Sequence, residues 1–221
     1  RDEARCFREN ADGAGTLAEA CAEAGIGLVS FSSDLVFSGP YHRPRVESDG
    51  VCPSGVYGES KAEAERRILA AHPGALVVRT SAFFGPWDAH NFVLQTLVKL
   101  ASGRPVRPSG DMVSPTYVPD LAHATLDLLI DGESGVWHLA NSGAISWSDL
   151  ARRIAVSAGF SAALVKNDPS SVPFAMSALG SERGSVMPTL DSGLDRFFRE
   201  CEIDWRARAQ ASQQDHGLVT T

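Results

Sequence analysis

Gly27-Leu28-Val29-Ser30-Phe31-Ser32-Ser33 is a short apolar run that ends in two hydroxyls. Its length suits a buried strand, and what flanks it suits helices. Upstream, Leu17, Ala20, Cys21 and Ala24 recur at helical spacing, and Gly25 stands where such a helix stops. Downstream, a loop rich in Gly, Pro and Ser runs from Ser38 to Pro53, and Ser54 offers an N-cap for a helix reaching about Ala71. Ala75 to Arg79 is a second apolar run of strand length. Strand and helix therefore alternate, and the chain reads as α/β, a parallel sheet covered by helices.

The alternation continues. Asn91 to Ala101 reads as a helix, Ser114 to Val118 as extended, Pro119 to Leu129 as a helix and Val136 to Ala140 as a strand. Ser146-x-x-Asp149 is a capping pattern that opens a helix through Ala158. Asp191 to Glu200 reads as a short helix, and residues 211–221 as a flexible polar tail.

Composition removes several function classes. At 221 residues, 43% apolar and 21% charged, the chain is an ordinary globular protein. A net charge of −7 argues against a nucleic-acid partner, because phosphate affinity comes from clustered Lys and Arg. No apolar stretch approaches the ~20 residues of a membrane span. No signal peptide is visible, although the chain starts at Arg1 without Met. Cys6, Cys21, Cys52 and Cys201 lack CxxC or metal spacing, which suits reduced thiols in the cytoplasm. His42, His90, His123 and His138 show no ligand spacing, so no metal is expected. The four Trp residues read as core or interface aromatics.

The sharpest constellation is Tyr57-Gly-Glu-Ser-Lys61. A four-residue step on a helix puts both side chains on one face. A phenol near pKa ~10 is a poor acid at neutral pH. A neighbouring ammonium and a helix N-terminus both lower it, giving a tunable proton donor. With three Tyr and three Lys in the chain, about 0.04 such pairs are expected by chance. Ser32-Ser33-Asp34 follows the first strand, where an open α/β sheet presents ligand-binding residues. Ser33 would place a second donor on the same substrate oxygen as Tyr57. Asp34 caps that turn or faces substrate, and Arg79, beside a core strand, reads as a paired charge.

These residues resemble the catalytic apparatus of extended short-chain dehydrogenases/reductases, and within them the RmlD-like dTDP-4-dehydrorhamnose reductases. The matching runs are Ser32 to Gly39, Tyr57 to Lys61, Arg79 to Pro86, Asn91-Phe92 and Ser114 to Ala122. The resemblance implies the C-terminal part of a Rossmann-type doubly wound sheet over residues 1–100, and mainly a small α/β substrate-binding lobe over 101–210. It implies reduction of a nucleotide-linked 4-keto-6-deoxysugar by NADPH or NADH. Tyr57 would donate the proton, Lys61 would hold the nicotinamide ribose, and Ser33 would bond the reacting oxygen. Ser32, Ser81 and Phe83 would lie along the cofactor, and Asp34, Asn91, Arg104, Pro115 and Thr116 along the sugar nucleotide. A homodimer is left open, as are two other readings: a sugar-nucleotide epimerase and a non-catalytic module of the same fold.

The chain departs from the family pattern in places. Ser33 replaces the usual Thr, Leu35 a usual Tyr, and Asp111-Met112-Val113-Ser114 a common Asp-Gln-x-Gly, which puts the identity of the sugar in doubt. Leu35 also weakens a dehydratase reading, since those enzymes follow the hydroxyl with an Asp-Glu pair. No Gly-rich phosphate-binding turn is present, because Gly13 and Gly15 follow no strand. The expectation is an upstream part of the same longer polypeptide, on the order of 60 to 75 residues, carrying three strands and that turn. Without it the strand ending at Ser33 would be an open edge.

Overall fold

The computed structural model describes residues 2–39, 42–53, 55–166, 176–201 and 203–210. The N-cap expected at Ser54 and the tail over 211–221 lie outside the described residues.

The first helical stretch is three pieces without a break. Helix α1 (Glu3–Phe7) leads into a π turn over Arg8–Asp12 and then helix α2 (Gly13–Ala24). Asp2 caps the start by accepting from the Arg5 N–H, and Gly25 ends the run at φ 65°. Only glycine takes that left-handed turn without strain.

Strand β1 (Val29–Ser33) pairs in parallel with β2 (Leu76–Thr80), and β2 pairs in parallel with β6 (Gly135–His138). The order β1-β2-β6 leaves β2 central and fully buried. Between β1 and β2 lie a 3-10 turn (Asp34–Val36) and helix α3 (Gly55–Ala71). Successive side chains of a strand face opposite sides, so β2 divides the core. Ala75 and Val77 pack with Ala18, Leu28, Ala64 and Ile68 under α2 and α3. Leu76 and Val78 pack with Leu121, Ala124 and Leu128 of helix α5 (Val118–Ile130) on the other face.

A second core lies beside the sheet. Helices α4 (Phe92–Ala101), α6 (Trp147–Ser157) and α7 (Leu190–Glu200) close over Phe84, Leu94, Leu97, Tyr117, Leu150, Ile154 and Phe197. Two-residue ladders join it together: β3 (Phe83–Phe84) with β5 (Thr116–Tyr117) in parallel, and β4 (Met112–Val113) with β7 (Ile145–Ser146) antiparallel. Ser146 caps α6 as its spacing to Asp149 suggests, accepting from the Asp149 N–H at 3.0 Å. Trp137 and Trp205 are buried and Trp147 stacks near Phe92, whereas Trp87 is exposed.

Candidate active site

β1 and β2 end side by side, with Ser33 opposite Thr80. The Ser33 Oγ accepts from the Leu35 N–H at 3.1 Å, which sets the 3-10 turn, and donates to Asp34 at 3.0 Å. Helix α3 lies directly on this turn. Gly58 permits the approach, since a Cβ there would stand 2.2 Å from the Leu35 carbonyl oxygen. The helix bearing Tyr57 and Lys61 is thus docked against the turn that follows Ser33.

Tyr57 is 45% exposed, and Lys61 is half-buried. Among the described residues, neither the phenol nor the ammonium has a hydrogen bond or ion pair. Burial pushes the Tyr57 phenol up, with Asp34 and Cys6 adding in the same sense. The lowering expected from Lys61 and the helix end is not found: burial, Asp34 and Cys6 set the direction of the shift. Burial pulls the Lys61 ammonium down, and Glu65 opposes that shift. Tyr57 therefore holds its proton at neutral pH, as a donor must.

Asp34 is buried among hydroxyls. The Ser81 Oγ donates to it at 2.7 Å, in addition to the bond from Ser33. Burial raises its pKa, and the hydroxyls of Ser81, Ser33 and Ser177 only partly offset this. After Ser81, Ala82 takes φ +45°, among the described residues a left-handed conformation found otherwise only at glycines. Such local strain is held by its surroundings, and here the Ala82 carbonyl accepts from the Thr116 N–H at 3.2 Å.

Ser32 faces away from this turn, into the interior. Its Oγ donates to Glu65 at 2.5 Å. Arg79 grips the same carboxylate through Nε at 2.9 Å and Nη2 at 2.7 Å. The charge pairing expected of Arg79 is present, and its partner is a residue that sequence reading did not single out. Glu65 follows Lys61 by four residues, the same helix-face spacing that marked Tyr57, so the signal was available.

The other expected ligand residues are placed as follows. Asn91 caps α4, accepting from the Leu94 N–H and donating to the Gly85 and Asp88 carbonyls, so its amide is occupied. Thr116 is buried and receives a hydrogen bond from Thr80 at 3.2 Å, and Pro115 is buried beside it. Phe83 is 48% exposed on β3. Arg104 is exposed after α4, with its Nε on the Ser102 hydroxyl. Ser33, Asp34, Ser81, Tyr57 and Lys61 thus gather at one end of the sheet, while Ser32, Asn91 and Thr116 have their polar atoms engaged by the protein.

The four cysteines are free thiols. Among the described residues no cluster of His, Cys, Asp or Glu could hold a metal, and no helix is long and apolar enough to cross a membrane.

Residues 1–206 match the model of the RmlD substrate binding domain. The dTDP-4-dehydrorhamnose reductase of Mycobacterium tuberculosis is 40% identical over 160 residues, covering 69% of this chain and 52% of that protein. The dTDP-4-keto-6-deoxy-D-glucose reductase of Streptomyces niveus is 36% identical, covering 65% of this chain and 50% of that protein. The crystal structure of dTDP-4-dehydrorhamnose reductase from Bacillus anthracis, in complex with NADP, superposes with a TM-score of 0.77 at 30% identity, covering 86% of this chain and 72% of that one. The chain spans about half the length of the curated relatives it matches. Sheet order, Tyr57-to-Lys61 helix and family match agree: the chain belongs to the RmlD substrate binding domain family.

Proposed function

We propose that the chain is the proton-transfer and substrate-side portion of a nicotinamide-dependent reductase acting on a nucleotide-linked 4-keto-6-deoxysugar. The observation that carries this reading is the docking of Tyr57 and Lys61 against the turn after Ser33, with the phenol and ammonium both unpartnered among the described residues. The names of the relatives supply the substrate class.

The donor set fits the nicotinamide end of NADPH or NADH. A half-buried ammonium with no partner among the described residues suits the hydroxyls of a ribose. The reduced cofactor, when bound, supplies hydride to the carbonyl carbon. Tyr57 gives its proton to the oxygen that becomes an alkoxide. The Ser33 hydroxyl, whose hydrogen goes to Asp34 in this structure, turns to that oxygen and stabilises the developing charge. Lys61 keeps a positive charge beside Tyr57, favouring the phenolate left behind. Asp34, itself held by Ser81, keeps the Ser33 hydroxyl in place before substrate arrives.

An upstream part of the same longer polypeptide completes the cofactor side. Two features support this. Among the described residues β1 pairs on one side only. Phe31 of β1, Phe83 and Val118 are each at least 40% exposed and, with Leu121 and Ala122, line an apolar groove of about 420 Å³. An unpaired apolar edge favours a further strand. Unpaired thiols support a cytoplasmic location.

The test uses the complete polypeptide with dTDP-4-dehydrorhamnose, offered NADPH and NADH in parallel, following absorbance of the reduced nicotinamide. Consumption with either cofactor is expected. A folded complete polypeptide that consumes neither would remove the reductase reading in favour of a binding module.

A further inference from the structure

His138 closes β6 in a position where its protonation is dictated by its neighbours. It is 4% exposed. Its Nδ1 lies 2.8 Å from the Gly180 carbonyl oxygen and 3.1 Å from that of Arg45. Carbonyls only accept, so Nδ1 carries the hydrogen. Its Nε2 lies 3.3 Å from Nη1 of Arg79. A guanidinium only donates, so Nε2 must accept. The ring is therefore neutral and in a single tautomer.

The two ends of this ring reach different parts of the molecule. On the Nε2 side stands Arg79, paired with Glu65, which also holds Ser32, the neighbour of Ser33. On the Nδ1 side stands a clasp of two segments. The Arg45 N–H donates to the Ala178 carbonyl at 2.9 Å, and the Gly180 N–H to the Arg45 carbonyl at 2.7 Å. Glu47 accepts from the His138 N–H, the Ser181 hydroxyl and the Glu182 N–H. The same strip continues to Ser177, whose hydroxyl donates to the Met112 carbonyl at 3.2 Å, and to Leu179, which exchanges both backbone groups with the Ser114 hydroxyl.

We propose that His138 is a positioning residue: its neutral Nδ1–H tautomer joins the clasp of residues 44–47 and 177–182 to the Glu65–Arg79 pair behind Ser32 and Lys61. A proton on Nε2 would face a guanidinium and break that side of the junction. The charged groups around the ring are Arg79 from β2, Glu65 behind it on α3, and Glu47 and Arg45 from the loop before α3. Burial, with a smaller part from Arg79, holds the imidazole below its ordinary range, against the opposing pull of Glu47 and of the Gly180 and Arg45 carbonyls. Its catalytic consequence rests on the reductase reading, because through Leu179 the clasp holds Ser114, which precedes the Pro115 and Thr116 expected along the sugar nucleotide.

The test has two arms. Nitrogen NMR of the imidazoles in the native chain at neutral pH should show His138 protonated at Nδ1 and bare at Nε2. Finding the other tautomer, or an imidazolium, overturns the proposal. In the second arm, hydrogen exchange of the Arg45 and Gly180 amides is followed from about pH 8 downward, past the ordinary His value of about 6.5 and through the lowered titration of His138, after correction for intrinsic rates. Protection should fall by about tenfold with the His138 titration, the most that one net hydrogen bond provides. In His138→Asn the amide keeps a donor for Gly180 and loses the titrating ring, so that fall should vanish. A fall that persists in the variant overturns the proposal, as does a complete polypeptide whose kcat lacks the matching acid limb. A polypeptide with no turnover fails the reductase reading instead, and the NMR and exchange results still decide the role of His138.

Discussion

Gly58 and the Leu35 carbonyl are in backbone contact: a Cβ at Gly58 would stand 2.2 Å from that oxygen and 3.1 Å from its carbon. In an open helix Gly→Ala is stabilising by about 1 kcal/mol. Here the methyl meets backbone, which cannot rotate away, and Pro53 stands 3.4 Å off on another side. Gly58→Ala should therefore destabilise by about 1–3 kcal/mol, read as a lower urea midpoint with unchanged slope. The start of α3 must also lift from the turn after Ser33, so turnover of the complete polypeptide should fall with it. A variant more stable than the parent would remove the close approach from the account.

Tyr57→Phe deletes the phenolic oxygen and leaves the ring, and that oxygen bonds to nothing else among the described residues. Stability should hardly change, while kcat falls at least ~100-fold, the lower end of a general-acid contribution. Matched thermal melts and single-turnover rates check both halves. Equal turnover would show that the proton comes from elsewhere.

The long elements were legible because their signals are local. The stop at Gly25, the Ser146–Asp149 cap and the apolar spacing in α4 each lie within a few residues of the structure they set. That Tyr57 and Lys61 share one helix was legible for the same reason. The π turn at Arg8–Asp12 was not, since one extra residue in a turn leaves the helical pattern almost intact. Nor were the two-residue ladders β3–β5 and β4–β7, too short to show alternation. Asp34 could be read only as a cap or a ligand, because the hydroxyls that surround it come from Ser81 and Ser177, far along the chain. Asn91 and Thr116 lie in family motifs, yet their polar atoms serve the backbone of α4 and the Thr80 hydroxyl, a distinction that sequence order does not carry.

Asp34 gives a pH dependence with a definite sign. Its folded pKa is raised, chiefly by burial, so the native state binds its proton more tightly than the unfolded chain. Its contribution is then largest below the unfolded value of about 3.9 and is lost as pH rises through the folded value. Asp34→Asn keeps a polar group of the same shape and removes this loss. The difference in melting temperature between variant and parent should grow in the variant's favour from acid to neutral pH. A difference that is flat, or that grows towards acid, would mean that burial does not raise the Asp34 pKa.

The Glu65–Arg79 pair has side chains only 7% and 5% exposed, so its two halves cannot be removed independently. Arg79→Met leaves a buried carboxylate whose remaining hydrogen bond comes from the Ser32 hydroxyl, which should cost about 3–5 kcal/mol. Glu65→Gln with Arg79→Met removes both charges and should recover much of that loss, because a buried ion pair and a packed neutral pair differ little in net stability. A double-mutant cycle by urea denaturation measures the coupling. Catalysis should part company with stability here. Glu65 is the carboxylate that opposes the desolvation of Lys61, so the double variant should lower the Lys61 pKa and shift the alkaline limb of turnover to lower pH while the fold is retained. A double variant as unstable as Arg79→Met alone, or one whose alkaline limb does not move, would leave Ser32 and packing, rather than charge, as the reason for the pair.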